Sequence, residues 1–382
     1  MKTLQQQLCL NRVNFQINPK QSFEDAKLYF GSDQNRQIIR EIETGYMAGY
    51  VPRIYLFGSY GTGKTHLLYH LKHHFDQSKQ SPEIAAYVVQ IEAESKTRYQ
   101  SLHKRLLDAV GIDALEKAYI DYSLAPGGDR EARFRELFED PNLYRVMQLL
   151  PTGPANKNLA WRWLTGDKLS AGEQMQLGVT SLVTETGDLV DLLVRIGELF
   201  KRTGKNLLFL IDESEGLHSV SNGDAQRSWH DAFKRLADQN DNQSVGWILT
   251  FYTTLHDEAP TFMLEGDITT RLGKGGQRLL EPLQPVQVKE FLVDLLKAFI
   301  DKGCAEEAIR AGNPKGSLSH YPFTDSGLET FVEHSGAAPE NAIPRTILRA
   351  LTSCALEALR RDTRVLDAPL VNEVVPAEFT EV

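Results

Sequence analysis

Eight consecutive residues, beginning at Gly58 and ending at Thr65, fit the pattern G-x-x-x-x-G-K-[S/T] without a mismatch. Glycines at this spacing let backbone N–H groups wrap around a phosphate, while the lysine reaches the β- and γ-phosphates and the hydroxyl completes a Mg²⁺ shell. We therefore predict a site for ATP and Mg²⁺ in which Lys64 is catalytic and Thr65 is a metal ligand. The predicted nucleotide contacts are the loop and the start of the next helix: Gly58, Ser59, Tyr60, Gly61, Thr62, Gly63, Lys64, Thr65 and His66.

An acidic pair, Asp212 and Glu213, directly follows the apolar run 207–211. A carboxylate at the carboxyl end of a strand beside the phosphate-loop strand can hold Mg²⁺, and a second carboxylate after it can activate water. Asp212 is therefore predicted as a metal ligand and Glu213 as the catalytic base, which favours hydrolysis over nucleotide storage. Acidic pairs are also common at helix starts, so this prediction depends on the phosphate loop being present.

The elements that must position these residues alternate between apolar strands and amphipathic helices. The run 207–211 is continuously apolar, as in a strand buried on both faces of a parallel sheet. Alternation of this kind predicts an α/β fold in three layers, with ligands bound at the carboxyl ends of the strands. The predicted strands are 53–57, 84–91, 207–211, 247–252 and, with a weaker pattern, 277–283.

Composition is that of an ordinary globular chain of 382 residues, which has room for two or three domains. The net charge of −9 argues against extensive coating of nucleic acid but is compatible with a local basic patch. Three scattered cysteines predict a reducing compartment without a disulfide framework. The first residues lack the apolar core of a signal peptide, and no apolar run approaches membrane-spanning length, so we expect a cytoplasmic protein without membrane contact.

With its two nucleotide motifs, the chain resembles the AAA+ ATPases over roughly residues 28–110 and 185–362. The resemblance implies an N-terminal segment at 1–27, a P-loop NTPase core at 28–283 and a C-terminal α-helical lid at 284–382. It also implies a homo-oligomer, as a ring or a filament, in which ATP lies between sheet and lid. Because the family places an arginine of one subunit at the nucleotide of the next, hydrolysis is expected to need a second subunit.

The same resemblance implies three further site residues. The polar residue after the fourth strand, sensor 1, is assigned to Thr253, with Thr250 and Thr254 as rivals. The arginine finger is assigned to Arg271 and the sensor 2 arginine to Arg345, which follows Pro344. An arginine suits both places because its fixed fork and permanent charge stabilise a transferring phosphoryl group. The alternatives are a solvated or nucleic-acid-binding basic loop for Arg271 and a surface position after a helix-starting proline for Arg345.

Residues 112–184 form a predicted helical insertion that exceeds what the core needs. It contains Trp161 and Trp163, which indicate either a local mini-core or a surface for a partner protein, since aromatic residues are enriched at contact hot spots. On a helix, two residues two positions apart diverge, so one tryptophan is expected to be accessible. The insertion and the segment 211–217 are similar to the ATP-binding proteins of bacteriophage-exclusion (BREX) systems, which implies a role in antiviral defence.

The predicted activity is Mg²⁺-dependent ATP hydrolysis, and three uses of it are open. The first is an oligomeric DNA-associated motor or switch in anti-phage defence or mobile-element biology. The second is a STAND-type signalling switch that controls a protein effector without DNA. The approach to the lid, 321–325, is similar to lids of the origin-recognition and STAND-related branches. The third is a transposition-regulator ATPase that forms filaments on DNA. A defence-system or effector protein is expected to bind through the 112–184 insertion.

Overall fold

The computed structural model describes residues 7–12, 15, 17–20, 22–28, 33–78, 83–126, 128–238, 244–252, 259–273, 275–311 and 318–380. Its sheet has five strands in the spatial order β2-β3-β4-β1-β5. The pairs β1–β4, β4–β3 and β3–β2 are all parallel. The strands are β1 (Arg53–Gly58), β2 (Glu83–Gln90), β3 (Lys205–Asp212), β4 (Val245–Tyr252) and β5 (Gln277–Leu280).

Strand burial explains why the apolar runs fold as they do. Along β3 and β4, alternate side chains such as Phe209 and Trp247 belong to one core, and the residues between them, such as Leu210 and Ile248, are also buried. Because successive side chains point to opposite faces, both faces of the sheet are covered. This confirms the predicted three-layer α/β fold with a parallel sheet. The fifth strand is shorter than predicted and ends before Pro282, which has no N–H to donate to a ladder.

Helices follow the strands and fill the long segment before β3. Among the described residues, the α-helices are α1 (Phe23–Lys27), α2 (Asp33–Met47), α3 (Lys64–Gln77), α4 (Tyr99–Val110), α5 (Ile112–Leu124), α6 (Arg130–Leu137), α7 (Pro141–Leu149), α8 (Pro154–Leu164), α9 (Ala171–Leu177), α10 (Thr186–Arg202), α11 (Gly223–Ala237), α12 (Gly266–Leu272), α13 (Pro285–Phe299), α14 (Lys302–Arg310), α15 (Asp325–Ala337), α16 (Pro344–Arg360) and α17 (Ala368–Thr380).

The chain forms two compact units. The sheet unit comprises Ile39–Gly58 and Leu68–Leu279. The lid unit comprises Met1–Ile38, Ser59–Leu67 and Leu280–Val382, and so includes the phosphate loop. No helix among the described residues is long and apolar enough to cross a membrane.

The insertion is helical, as predicted, and consists of α5 to α9. Its buried side chains, including Phe134 and Leu177, belong to the same hydrophobic cluster as Phe209 and Leu249 of the sheet. Helix α10 joins the two parts, since it packs against the insertion helices α5 and α6 and against β3 and β4. The insertion therefore extends the main core of the sheet unit. This differs from the mini-core interpretation, which expects the insertion to have a separate core.

The lid unit has its own apolar core, formed by one face of each of the helices α13, α15, α16 and α17 and by residues near the start of the described chain, such as Leu8 and Phe15. A disulfide links Cys9 to Cys304 on α14, with 5.4 Å between their Cα atoms. The expectation that the cysteines form no disulfide was therefore wrong. The two cysteines are 295 positions apart, and no local sequence pattern reports contacts between such distant positions.

Candidate nucleotide site

The phosphate loop lies between the end of β1 at Gly58 and the start of α3 at Lys64. Gly61 and Gly63 have φ angles of 87° and 96°, a left-handed region that glycine adopts at no steric cost. The Lys64 ammonium donates to the carbonyl of Ser59 across 3.0 Å, and the Thr62 hydroxyl donates to the same carbonyl across 2.8 Å. The loop is therefore folded around its own lysine, with the N-terminal end of a helix directly behind it, an arrangement that suits an anion.

Asp212 ends β3 and is 2 % exposed. Its Oδ1 accepts a hydrogen bond of 3.1 Å from the hydroxyl of Thr250 on the adjacent strand β4. Glu213, half-buried, follows with a φ of 59°, which is uncommon for a residue with a side chain and turns the chain into the short helix Ser214–Ser219. Since β1 and β3 run parallel to β4 between them, Gly58 and Asp212 end at the same edge of the sheet.

One of the three sensor 1 candidates has a described contact. Thr250 is fully buried, and its hydroxyl bonds with the Asp212 carboxylate. Thr253 and Thr254 lie outside the described residues, so the prediction for Thr253 stays a prediction. The register that places Thr250 beside Asp212 depends on the pairing of β3 with β4, which a sequence pattern cannot supply.

Arg345 is the second residue of α16 in the lid unit and is exposed. Its backbone N–H lies 3.3 Å from the carbonyl of Gly61, and its guanidinium lies 4.3 Å from the centre of the Tyr60 ring. A Cβ at Gly61 would come within 2.8 Å of the Arg345 Cβ, so glycine is needed here for close approach as well as for its backbone angle. The structure thus brings the predicted sensor 2 arginine onto the phosphate loop.

His66 contacts the N-terminal segment, which the sequence interpretation did not connect with the loop. Its Nε2 lies 3.1 Å from the carbonyl of Asp25 in α1. Burial lowers the pKa of His66, although hydrogen bonds with the carbonyls of Asp25 and Leu28 offset part of that effect. The Asp25 carboxylate is itself paired with Arg12. The sequence did not predict that Asp25 and Arg12 lie near the site. One local signal points to a helix there: Ser22 caps α1, and its hydroxyl accepts a hydrogen bond from the Asp25 N–H.

Arg271 lies on α12 in the sheet unit, within a network of charged groups. Its Nε is 3.0 Å from the Asp238 carboxylate, and the guanidinium also donates to the carbonyl of Asp267. The side-chain hydrogen bond from Arg271 lowers the pKa of Asp238. The interpretation of Arg271 as part of a solvated basic loop was therefore wrong, because the residue is helical, partly buried and ion-paired.

The acidic groups beside Arg271 also bind His230 and Lys234. Ligand atoms of His230, Glu265 and Asp267 lie within 4.8 Å of one another, a spacing that could hold a cation. The Lys234 ammonium, however, lies 2.6 Å from the Asp267 carboxylate and is the main cause that lowers the pKa of Asp267 to about 2. We interpret the cluster as an ion-pair network that joins α11 to α12.

The two tryptophans of the insertion lie on α8 and differ in exposure. Trp163 is 1 % exposed, and its indole N–H donates to the carbonyl of Ser181 across 2.9 Å. Trp161 is half-buried, with its indole N–H 3.3 Å from the Asp108 carboxylate. The divergence expected for a helix is present, and Trp161 is the accessible member of the pair.

No family model matches the chain. No curated protein matches it either. Solved structures similar to it include the ORC2 protein of Aeropyrum pernix, with 11% sequence identity, a TM-score of 0.47, and coverage of 91% of this chain and 67% of that one. The Cdc6p protein of Pyrobaculum aerophilum has 14% identity, a TM-score of 0.45, and coverage of 88% and 66%.

Domain III of the Thermotoga maritima replication initiation protein DnaA has 12% identity, a TM-score of 0.43, and coverage of 96% of this chain and 100% of that domain. The chain spans about two thirds of the length of the two archaeal proteins. At these identities and TM-scores the likeness says nothing about activity.

Proposed function

We propose that the protein is a Mg²⁺-dependent ATPase of the AAA+ type that works as an oligomer. The observation that carries the proposal is the combination of a glycine-shaped phosphate loop after β1 with a buried carboxylate at the same edge of the sheet, at the end of β3. Either feature alone is compatible with other roles. Together they supply the phosphate contacts and the hard oxygen ligands that nucleotide hydrolysis uses.

The donor set fits Mg²⁺, which takes carboxylate and hydroxyl oxygens, and the residues that would hold it are Thr65 and Asp212. When bound, the ion neutralises charge on the phosphates. Lys64 binds the β- and γ-phosphates once its ammonium leaves the Ser59 carbonyl. Thr250 orients the Asp212 carboxylate through its hydroxyl. Glu213 accepts the proton of the attacking water, and Arg345 adds positive charge at the γ-phosphate.

In this proposal Arg271 acts on the nucleotide of a neighbouring subunit. Its pairing with Asp238 does not prevent this, because a guanidinium that is 30% exposed can exchange one anion for another. The exchange couples turnover to assembly, since Arg271 leaves Asp238 only when a neighbour presents a phosphate. An isolated subunit is therefore expected to bind ATP and to hydrolyse it slowly.

For the use of the ATPase, we propose first a DNA-associated motor or switch in anti-phage defence or mobile-element biology. A second candidate, a signalling switch without DNA, is favoured by three arginines, of which two lie within α16 and one directly follows it. Arg349 is paired with Glu378, Arg360 with Glu357, and Arg361 with Glu357 and Glu373. Since each of these arginines already has a carboxylate partner within the lid unit, a DNA phosphate would have to displace that partner.

The test separates nucleotide binding from chemistry. Lys64→Ala should lose ATP affinity, because it removes the charge that faces the β- and γ-phosphates. Glu213→Gln should retain affinity and stop turnover, because only the carboxylate that activates water is lost. Binding of a fluorescent ATP analogue and release of phosphate report the two steps, and Glu215→Gln is the matched control. If Glu213→Gln hydrolyses ATP at the parent rate, its assignment as the base is wrong.

Adding DNA to the same phosphate-release assay distinguishes the two uses. Stimulation by DNA supports the motor or switch that acts on DNA. An unchanged rate, together with absence of binding in an electrophoretic shift experiment at low salt, supports the signalling switch.

A further inference from the structure

Tyr60 is an unusual residue for the middle of the phosphate loop. Its large aromatic ring is 63% exposed rather than buried in a core. Its ring instead meets the guanidinium of Arg345, with 4.3 Å between the guanidinium carbon and the ring centre. That distance is well within the range of a cation–π interaction.

A guanidinium that stacks on an aromatic ring by its flat face keeps its edge for other partners. Stacking uses the flat surface of the group, whereas its five N–H donors lie in the plane and point outward. Within the part of the chain that the structure describes, Arg345 makes no side-chain hydrogen bond or ion pair. The in-plane N–H donors of Arg345 can therefore bind an acceptor, such as a phosphate oxygen.

The backbone of Arg345 is also fixed on the loop. Its N–H lies 3.3 Å from the carbonyl of Gly61, which sits next to Tyr60 in the chain. The side chain of Ile343 comes within 3.0 Å of the place where a Gly61 Cβ would stand, so the start of the lid helix is in tight contact with the turn. Because Gly61 contacts its backbone and Tyr60 contacts its guanidinium, Arg345 loses less conformational freedom when it binds an anion.

We infer that Tyr60 is a positioning residue for Arg345 and sets the preference of the site for a nucleoside triphosphate over a diphosphate. The ring holds the guanidinium in place so that its fork of N–H donors can bind the terminal phosphoryl group. This inference rests on the proposed ATPase function and adds a residue to its site. The opposite arrangement, in which the ring competes with phosphate for the arginine, predicts an effect of the opposite sign.

The experiment is a double-mutant cycle with the full chain, in which dissociation constants are measured for fluorescent ATP and ADP analogues. Tyr60→Ala should weaken ATP binding about two- to five-fold, the range expected for one exposed cation–π contact, and should leave ADP binding unchanged. Tyr60→Phe keeps the ring and should bind like the parent. In an Arg345→Ala background, Tyr60→Ala should have no further effect on ATP binding, because the residue it positions is absent.

Three results would overturn the inference. The first is a loss of ATP affinity that is equal with and without Arg345, which would assign Tyr60 a role independent of the arginine. The second is tighter ATP binding by Tyr60→Ala, which would show competition. The third is an equal loss for ATP and ADP. The proposed function fails separately, through absence of ATP binding by the parent or through a Lys64→Ala variant that binds as tightly as the parent.

Discussion

Arg345 and Arg271 carry the same group and are proposed for the same charge, but their surroundings differ. Arg345, in the lid unit, stacks on an aromatic ring and has no described acceptor for its in-plane donors. Arg271, in the sheet unit, is 30% exposed, forms an ion pair with Asp238 and donates to the carbonyl of Asp267. In the proposed site, Arg345 can bind an anion directly, whereas Arg271 must first leave Asp238. In the proposed function, the two arginines therefore respond to different events, Arg345 to nucleotide binding and Arg271 to subunit assembly.

The largest expected difference between Arg271 and Arg345 is in the rate of ATP turnover. Arg271→Ala should bind ATP normally and lose turnover by about 10³–10⁵, the usual contribution of an arginine finger. Phosphate release under saturating ATP measures it. Arg278→Ala is the matched control, since Arg278 lies nearby and pairs with Glu41.

Mixing Arg271→Ala with Lys64→Ala subunits tests whether the finger acts on a neighbour. A mixed interface can combine an intact pocket with an intact finger, so some activity should return. Co-assembled mixtures that stay inactive would show that Arg271 does not act in trans.

The next effect concerns affinity. Arg345→Ala should weaken ATP binding by about 10- to 100-fold, because hydrogen bonds to charged groups contribute about 1.5–3 kcal/mol. ADP binding should change less, since ADP lacks the terminal phosphoryl group. Isothermal titration calorimetry with both nucleotides measures the difference. Arg349→Ala, on the same helix but paired with Glu378, should leave both affinities unchanged, and equal losses for ATP and ADP would contradict the role of Arg345.

A smaller effect is expected from the partner that Arg271 must leave. Asp238→Asn should raise the turnover of the assembled protein by up to about five-fold, because exposed ion pairs contribute little and the arginine is released more easily. Asp191→Asn, which removes the partner of Arg235, is the control. A fall in turnover as deep as that of Arg271→Ala would mean that Asp238 holds the arginine in its working position.

The smallest effect is a titration in the network beside Arg271. Asp267 has a pKa of about 2, lowered first by Lys234, so it stabilises the fold above its unfolded pKa and loses that contribution as the pH falls toward 2. Lys234→Met should move the pKa of Asp267 toward 3.8, as seen in carboxyl chemical shifts in an NMR titration. Lys234→Arg should keep it low. An unchanged pKa in Lys234→Met would assign the shift to His230.

The strands and the nucleotide motifs could be predicted from the sequence because they are local. A buried strand must be apolar at every position, as in 207–211, and a phosphate loop needs glycines at fixed offsets. The contacts of Thr250 with Asp212, Tyr60 with Arg345 and His66 with Asp25 could not be predicted in this way.

Each of those contacts joins residues far apart in the chain, and each depends on strand register or on how helices pack. The disulfide between Cys9 and Cys304 is the clearest example, since a scattered set of three cysteines looks the same whether two of them meet or none does. Arg271 shows a subtler case. Its place before the fifth strand was visible in the sequence, but the carboxylate that binds it comes from another part of the chain.

The shared core of the insertion and the sheet has a mechanical consequence. An insertion joined to the core by a flexible hinge could move toward a partner while the rest of the protein stays unchanged. In this protein, however, Phe134 and Leu177 of the insertion are packed in the same apolar cluster as Phe209 of β3. Moving the insertion as a rigid body would pull on α10, which packs against β3. A protein that binds the exposed side of Trp161 and moves the insertion would therefore exert a force on β3, the strand that ends in Asp212. We therefore expect a displacement of the insertion to reach β3 through this packed core.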